Sequence, residues 1–506
     1  MDQHNATVSL VASQVKQFYE RQKPFRIYHG STNSTRQSQY WVDNLVDTSK
    51  LSNILTIDTN KKVAVVEPNV PMDKLVYAIL PYGLVPPVVM EFPGITAGGG
   101  FSGTSGESSS FRYGFFDRTV NSIEMVLANG DIITASSTEN SDIFYGAAAS
   151  FGTLGITTLL EIQLIDAKAF VELTYYPVSS VQQAVQKFEQ ETANPLNDYL
   201  DGILFDKDRG VICVGRLADT HNDGIPLQCF SRATDPWFYL HAKKVLAKSS
   251  EAFTEAVPLV DYLFRYDRGG FWVGAYAFQY FITPFNRFTR WALDNFMHTR
   301  VMYHALHKSG HSKNYIIQDV AVPYENAGEL IDYLHGSFRH YPLWLCPLRQ
   351  TGKSESPLYG LMAQKATANQ AAAPTMLLNV GVWGPGPTRR KEFVKLNRDL
   401  ERKVHELKGQ KWLYAHAYYT EAEFWDIYDR KEYDGLRAKY HASYLPTIYD
   451  KVKVDVAAEE QAMRDSWTTW IIAIIWSIWP ISGLYGVFHA ALGGDYLKLN
   501  GSKKAV

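Results

Sequence analysis

The most constraining feature of the sequence is residues 91–118, EFPGITAGGGFSGTSGESSSFRYGFFDR. Its first twenty residues hold six glycines and seven serines or threonines. Small residues let a backbone approach a ligand closely and aim successive N–H groups at an anion such as a pyrophosphate. Gly98 to Gly103 formally spells Gly-x-Gly-x-x-Gly, yet a Rossmann reading fails. Pro93 precedes it, no βαβ unit follows, and the next element is a hairpin where a crossover helix would be needed. A second glycine cluster, GAAASFGTLG at 146–155, stands just before a strand. Two such clusters argue against a merely solvent-facing Gly/Ser loop.

The surrounding pattern predicts an α+β fold. Short β-rich runs at 25–28, 54–57 and 63–66 alternate with turn residues, and Asp58, Thr59 and Asn60 join the last two as a hairpin. Pro71 opens a helix to Leu80. Residues 122–134 form strand, turn and strand around Asn129-Gly130, a type I′ dipeptide. Residues 161–165 add another strand. Beyond 168 the texture changes to long and aromatic side chains. Strands are expected at 171–176, 210–215, 315–322, 376–382 and 412–416. Helices are expected at 181–190, 326–334, 390–407 and 421–428.

With 506 residues the chain suffices for two to four domains. Its formal charge of −2 gives no basic field, which argues against a nucleic-acid partner. Three scattered cysteines fit neither a disulfide scaffold nor a Cys-rich metal site and suit a reducing compartment. Residues 1–25 hold no apolar run of signal-peptide or membrane-helix length, and Val8 to Glu20 reads as an amphipathic helix. Residues 466–494 differ: they carry no charge and include Trp467, Trp470, Trp476 and Trp479, suited to a membrane interface. As one straight helix at about 1.5 Å per residue this run exceeds a ~30 Å hydrocarbon core, but Pro480 and Gly483 divide it. A kinked single span and a re-entrant hairpin both follow. The closing Lys503-Lys504-Ala505-Val506 matches a dilysine retrieval pattern of the endoplasmic reticulum, which a hairpin leaves on the cytosolic side with the body. Sequons at Asn5, Asn33 and Asn500 do not by themselves make the body lumenal.

Residues 92–118, ENSDIFY at 139–145 and GTLG at 152–155 resemble the flavin domain of the vanillyl-alcohol-oxidase type (PCMH-type). More narrowly they resemble the Δ24-sterol reductase family, and the likeness continues through Ile317-Gln318-Asp319, YPLWLCP at 341–347, Leu413-Tyr414-Ala415, Glu423-Phe424-Trp425 and Tyr449-Asp450-Lys451. The resemblance implies an FAD-binding domain at 25–167 after a helical lead at 1–24. It further implies a substrate-binding cap at 168–410 and a segment at 411–455 returning to the flavin; the uncharged run itself gives a membrane segment at 466–494, hairpin or kinked span, followed by a polar tail at 495–506. It implies FAD held extended by two loops. One is Thr96-Ala97-Gly98-Gly99-Gly100-Phe101-Ser102-Gly103-Thr104-Ser105-Gly106-Glu107-Ser108-Ser109. The other is Gly30-Ser31-Thr32-Asn33-Ser34, with Gly152, Thr153, Gly155 and Ile156 adding contacts. Many flavoproteins of this fold place a flavin-linked histidine where Asn33 stands, and His29 is out of phase, so the FAD is expected to be non-covalent.

The same resemblance implies reduction of a sterol side-chain C24=C25 bond, with NADPH as the hydride source. Such an alkene lacks a polarising carbonyl and needs a strong acid beside it. Tyr414, His416 and Asp319 are the candidates, with Tyr418 also near; relatives usually carry an acid near the place of His416. Trp237, Phe238, Tyr239 and residues 271–288 offer apolar walls for a sterol. Arg265, Arg268, Arg287 and Arg290 could meet lipid headgroups or the NADPH 2′-phosphate. The expected setting is the endoplasmic reticulum membrane, with the catalytic body cytosolic. Alternatives are a related flavoenzyme acting on another terpenoid, and a lipid-binding protein that keeps the fold without turnover.

Overall fold

The computed structural model describes residues 1–30, 32–36, 40–350, 376–465, 476, 478–494 and 497–499. Ser31, residues 466–475 and Ser477 of the apolar run, Asn500, Lys503 and Lys504 lie outside the described residues.

Two antiparallel sheets organise the molecule. The first has five strands in the order Ile54–Asp58, Val63–Val66, Gly155–Gln163, Val120–Leu127, Ile132–Ser136. Its central hairpin corrects one expectation. Gly130 is left-handed (φ +94°) but Asn129 is not, so the turn is not type I′. The Gly130 N–H instead closes on the Leu127 carbonyl (2.9 Å), leaving a single glycine in the left-handed region. That glycine is required. A Cβ there would lie 2.9 Å from the Ala12 carbonyl, because the N-terminal helix Asp2–Glu20 packs across the turn. Val8, Val11 and Val15 of this helix share a core with Val126, Ala128 and Ile156. Its His4 bridges Glu67 (2.9 Å) and Glu124 (3.1 Å).

The second sheet has eight strands, in the order Phe253–Pro258, Phe170–Val178, Arg209–Ala218, Tyr199–Asp206, Leu343–Arg349, Met376–Pro385, Tyr315–Pro323, Gln410–Lys411. Helices Val181–Thr192, Tyr324–Ser337 and Arg390–Glu406 cover one face. The period of two along each strand sorts side chains between the faces. Ile316, Val320, Val322, Leu343, Leu345, Leu378, Val380 and Val382 bury under those helices. Their neighbours turn to the opposite face, described below.

The strand expected at 412–416 is absent. Only Gln410–Lys411 pairs with the sheet edge. The chain then leaves because its carbonyls are engaged elsewhere: Arg36 donates to Leu413 O, and Ser34 Oγ donates to Tyr414 O (2.8 Å). From there helices Glu421–Ile427, Arg430–Lys439 and Ile448–Val452 run back over the first sheet. Tyr433 Oη donates to Thr153 Oγ1 (2.8 Å), and Lys439 pairs with Asp142 (2.6 Å).

Among the described residues no helix is long and apolar enough to cross a membrane. The described part of the apolar run includes the twelve-residue helix Ile481–Leu492, which lies along helix Thr299–Ser309.

Candidate active site

A cavity of about 510 Å³ runs between the two sheets. One wall comes from residues before 160, the opposite wall from the free face of the eight-stranded sheet. Helices Val273–Tyr280, Thr299–Ser309 and Ile481–Leu492 close a side.

The first wall is built by the glycine-rich stretch, and it is not all loop. Thr96 Oγ1 accepts the Gly99 N–H (3.1 Å) and caps a short helix, Ala97–Gly103. Glycine is needed for close packing behind this helix: a Cβ on Gly98 would sit 2.6 Å from Pro68 Cβ, and one on Gly100 2.4 Å from Met90 Cε. Ala97, Gly100 and Phe101 therefore face the core. Thr96, Gly98, Gly99, Ser102, Gly103, Ser105 and Gly106 face the cavity. At Gly103 the nearest atom to an added Cβ is Ser105 Oγ at 3.9 Å, so a side chain there would grow into the cavity. Three amides expected to meet a pyrophosphate are already paired: Ala97 with Val70 O, Gly98 with Pro68 O and Gly99 with Thr96. Thr104, Glu107, Ser108 and Ser109 do not line the cavity. Glu107 is buried, receiving Ser108 Oγ (2.7 Å) and the Ser109 N–H (2.9 Å).

The turn after Gly30 (φ +85°) brings Thr32, Asn33 and Ser34 to the cavity, while Gly30 itself packs on Ser49. Asn33 lines this interior space, a poor place for a glycan. Gly152, Gly155 and Ile156 also line it; Thr153 is held by Tyr433 instead. Three cations face the same region: Arg26, Arg36 and, from the Tyr449-Asp450-Lys451 motif, Lys451. Burial, then Arg26 and Arg36, lowers the Lys451 ammonium to about 7. Burial, then Lys451, lowers the neighbouring His29 to about 4. Glu91 and Asp319 are the only carboxylates among the described lining residues. Half-buried cations beside a small-residue wall fit a dinucleotide diphosphate.

The second wall is aromatic. Tyr315, Ile317 and Asp319 alternate along one strand, Asn379 and Trp383 point the same way from the next, and Trp344 and Leu348 from the third. Phe271 stands 4.4 Å from the Trp383 ring. Here Tyr414 Oη donates to Asp319 Oδ2, and Asn379 Nδ2 donates to Oδ1 (3.0 Å). Burial raises the Asp319 carboxyl to about 6 against the pull of those bonds, and raises Tyr414 well above its ordinary value.

Comparison with known proteins bears on both walls. A family model described as an FAD binding domain matches residues 6–136. The Δ24-sterol reductase of Homo sapiens is 30% identical over 415 residues, covering 79% of this chain and 76% of its own. That of Arabidopsis thaliana is 31% identical over 450 residues, covering 82% and 79%. The chain belongs to the Δ24-sterol reductase family. It is accordingly an FAD-dependent oxidoreductase. The likeness to Δ24-sterol reductases runs well past the FAD-binding match, so it must include much of the eight-stranded sheet.

Within this family member the structure separates the acid candidates. Asp319 and Tyr414 share the cavity; His416 and Tyr418 do not line it. Burial and surrounding cations hold the His416 ring near 3, so it is neutral. Tyr418 belongs to the core under the helices. Trp237, Phe238 and Tyr239 are likewise core, whereas Phe271, Val273, Ala277, Tyr280 and Phe281 reach the cavity. Arg265 and Arg268 are unavailable to any phosphate: Arg265 pairs in the core with Asp201 (2.7 Å) and Arg268 with Asp294 (2.8 Å). Glu91 escaped the sequence reading. It lines the cavity, its Oε1 is buried without a hydrogen-bond partner, and burial followed by Glu107 pushes its carboxyl well upward. It is the first residue of the glycine-rich stretch, two before Pro93.

Proposed function

We propose that the protein saturates the side-chain C24=C25 bond of a sterol, using NADPH as the ultimate hydride source. The observation that carries this reading is a buried acid–phenol pair, Asp319 and Tyr414, facing an aromatic chamber continuous with a glycine- and cation-lined wall. Thr32, Asn33, Ser34, Ser102, Gly103 and Gly152 would hold the FAD, with Arg26, Arg36 and Lys451 near its diphosphate. Asparagine at 33 offers no imidazole for a flavin bond, so the FAD is non-covalent. When bound and reduced, FAD supplies hydride transfer.

The protein's own residues supply the rest. Trp344, Trp383 and Phe271 exclude water and give a flat apolar surface suited to a sterol. In this dry setting Asp319 stays protonated to about pH 6. Its proton is the one delivered to the alkene carbon, where an unactivated double bond needs a strong acid. Tyr414 and Asn379 fix the carboxyl's orientation by donating to Oδ2 and Oδ1. The two-hydrogen balance is one hydride and one proton.

We also place the enzyme on the endoplasmic reticulum membrane with its body cytosolic. A substrate dissolved in lipid is best handled by an enzyme resting on that lipid, and the apolar C-terminal helix beside the chamber supports this.

The test is mass spectrometry of a C24=C25 sterol incubated with protein, FAD and NADPH. A gain of two hydrogens is expected, and anaerobic NADPH should bleach the flavin colour. An unchanged sterol with a flavin that NADPH leaves coloured would overturn the reading. Bleaching by the substrate itself, with recovery in air, would mark an oxidase.

A further inference from the structure

Helix Ile481–Leu492 has no Asp, Glu, Lys or Arg, and is apolar apart from Ser482, Tyr485 and His489, yet it is not buried on every side. Its turns sort into three faces. Gly483, Val487 and Ala490 line the cavity. Gly486 meets the neighbouring helix Thr299–Ser309, where an added Cβ would lie 2.5 Å from Ala305 O, and Ser482 Oγ contacts His311 Nε2 (2.9 Å) in the turn that follows it. The third face, with Ile481, Leu484, Tyr485, Phe488 and Leu492, points outward, and Phe488 is 60% exposed. A soluble surface helix would carry polar residues there.

The outward face continues onto the cap. Trp479 Nε1 donates to Tyr280 O (2.6 Å), and Gly483 packs on the Tyr280 ring, so the two segments are joined. Past Tyr280 come Ile282, Phe285, Phe288 and Trp291, all exposed; Ile282 is 75% exposed and Phe288 69%. Beside them lies a hollow lined by Phe285, Phe288 and Trp291 together with Lys244, Lys248, Arg287 and Arg290. None of these four cations forms an ion pair among the described residues. The two acids of the hollow are already engaged, Glu255 with His241 (2.9 Å) and Asp235 with the Arg232 N–H (2.9 Å). Arg290 lies over the Phe285 ring at 4.9 Å, a cation held at the edge of the aromatic patch.

We propose that this face docks on an anionic phospholipid bilayer. The aromatic and aliphatic tips enter the headgroup–acyl boundary, and the four cations of the hollow take lipid phosphates. Exposed aromatics bordered by unpaired cations are what such a boundary selects. The docking side backs directly onto the cavity through Val487 and Ala490, so a lipid-dissolved substrate has only one helix between bilayer and chamber. The proposal rests on the membrane reading above and goes beyond it by naming the surface and the lipid charge.

The test is flotation of the full-length protein with vesicles of phosphatidylcholine alone, or with phosphatidylserine added. The wild type should bind both, and about tenfold or more tightly with phosphatidylserine at low salt. The quadruple variant K244Q/K248Q/R287Q/R290Q should lose that gain while keeping its binding to phosphatidylcholine. Brominated lipid should quench tryptophan emission, and Trp291→Phe should reduce the quenching. Flavin content should be unchanged in both variants, since none of these residues lines the cavity. A wild type that floats while the quadruple variant keeps its full phosphatidylserine gain would overturn this proposal alone. A wild type that floats with neither vesicle would overturn the membrane reading as well.

Discussion

The two walls of the cavity are built by opposite strategies. The wall before residue 160 is a backbone surface, where small residues set close approaches and Arg26 and Arg36, joined by Lys451 from the returning chain, set the charge. The wall from the eight-stranded sheet is a side-chain surface, assembled from alternate residues of three strands up to sixty-eight positions apart (Tyr315 to Trp383). A backbone wall tolerates little added volume but many changes of polarity. A side-chain wall responds to the chemistry of single residues.

That contrast can be broken most sharply at Gly103. Gly103→Trp should abolish flavin retention, read as loss of visible absorbance from purified protein whose circular dichroism is unchanged. Retained flavin would mean this wall does not face the cofactor. Across the cavity, Asp319→Asn should keep the flavin and lower kcat about 10²–10⁴-fold, the usual size of a general-acid contribution. Wild-type kcat should fall as pH rises through about 6, where the Asp319 proton is lost, and the Asn variant should show no such limb. A third test returns to the charged part of the first wall. Lys451 titrates near 7 because burial and two arginines disfavour its proton; a diphosphate would favour it. FAD should then bind more tightly below pH 7 than above, by up to about tenfold per unit above 7. Lys451→Gln should flatten that dependence in fluorescence titrations. The smallest effect is expected at Trp383→Leu, which enlarges the aromatic chamber. KM should rise several-fold with flavin content intact, as expected for one lost apolar contact surface.

The difference between the walls also governs what could be read from sequence. The glycine stretch is contiguous, so its composition alone pointed to close backbone approach. What stayed hidden was its conformation: the Thr96 cap turns part of it into a helix whose first amides bond the protein. On the other wall single strands were visible by their β-rich runs, but which residues met across them was not. Asp319 and Tyr414 were named, whereas Glu91 and Trp383, and the place of Lys451 at the cavity, emerge only when register and chain return are fixed. His416 stood with them as a candidate on the returning segment, yet its ring does not line the chamber. The same holds for arginines: spacing could not tell Arg265, locked to Asp201, from Arg287, which is exposed.

One wall element belongs to neither sheet. Val487 and Ala490 close a side of the chamber from helix Ile481–Leu492, whereas both sheets are built from residues before 412. The seal can therefore be removed without touching a strand of either sheet, and a polypeptide cut before Ile481 would keep both sheets around a chamber open to water on that side.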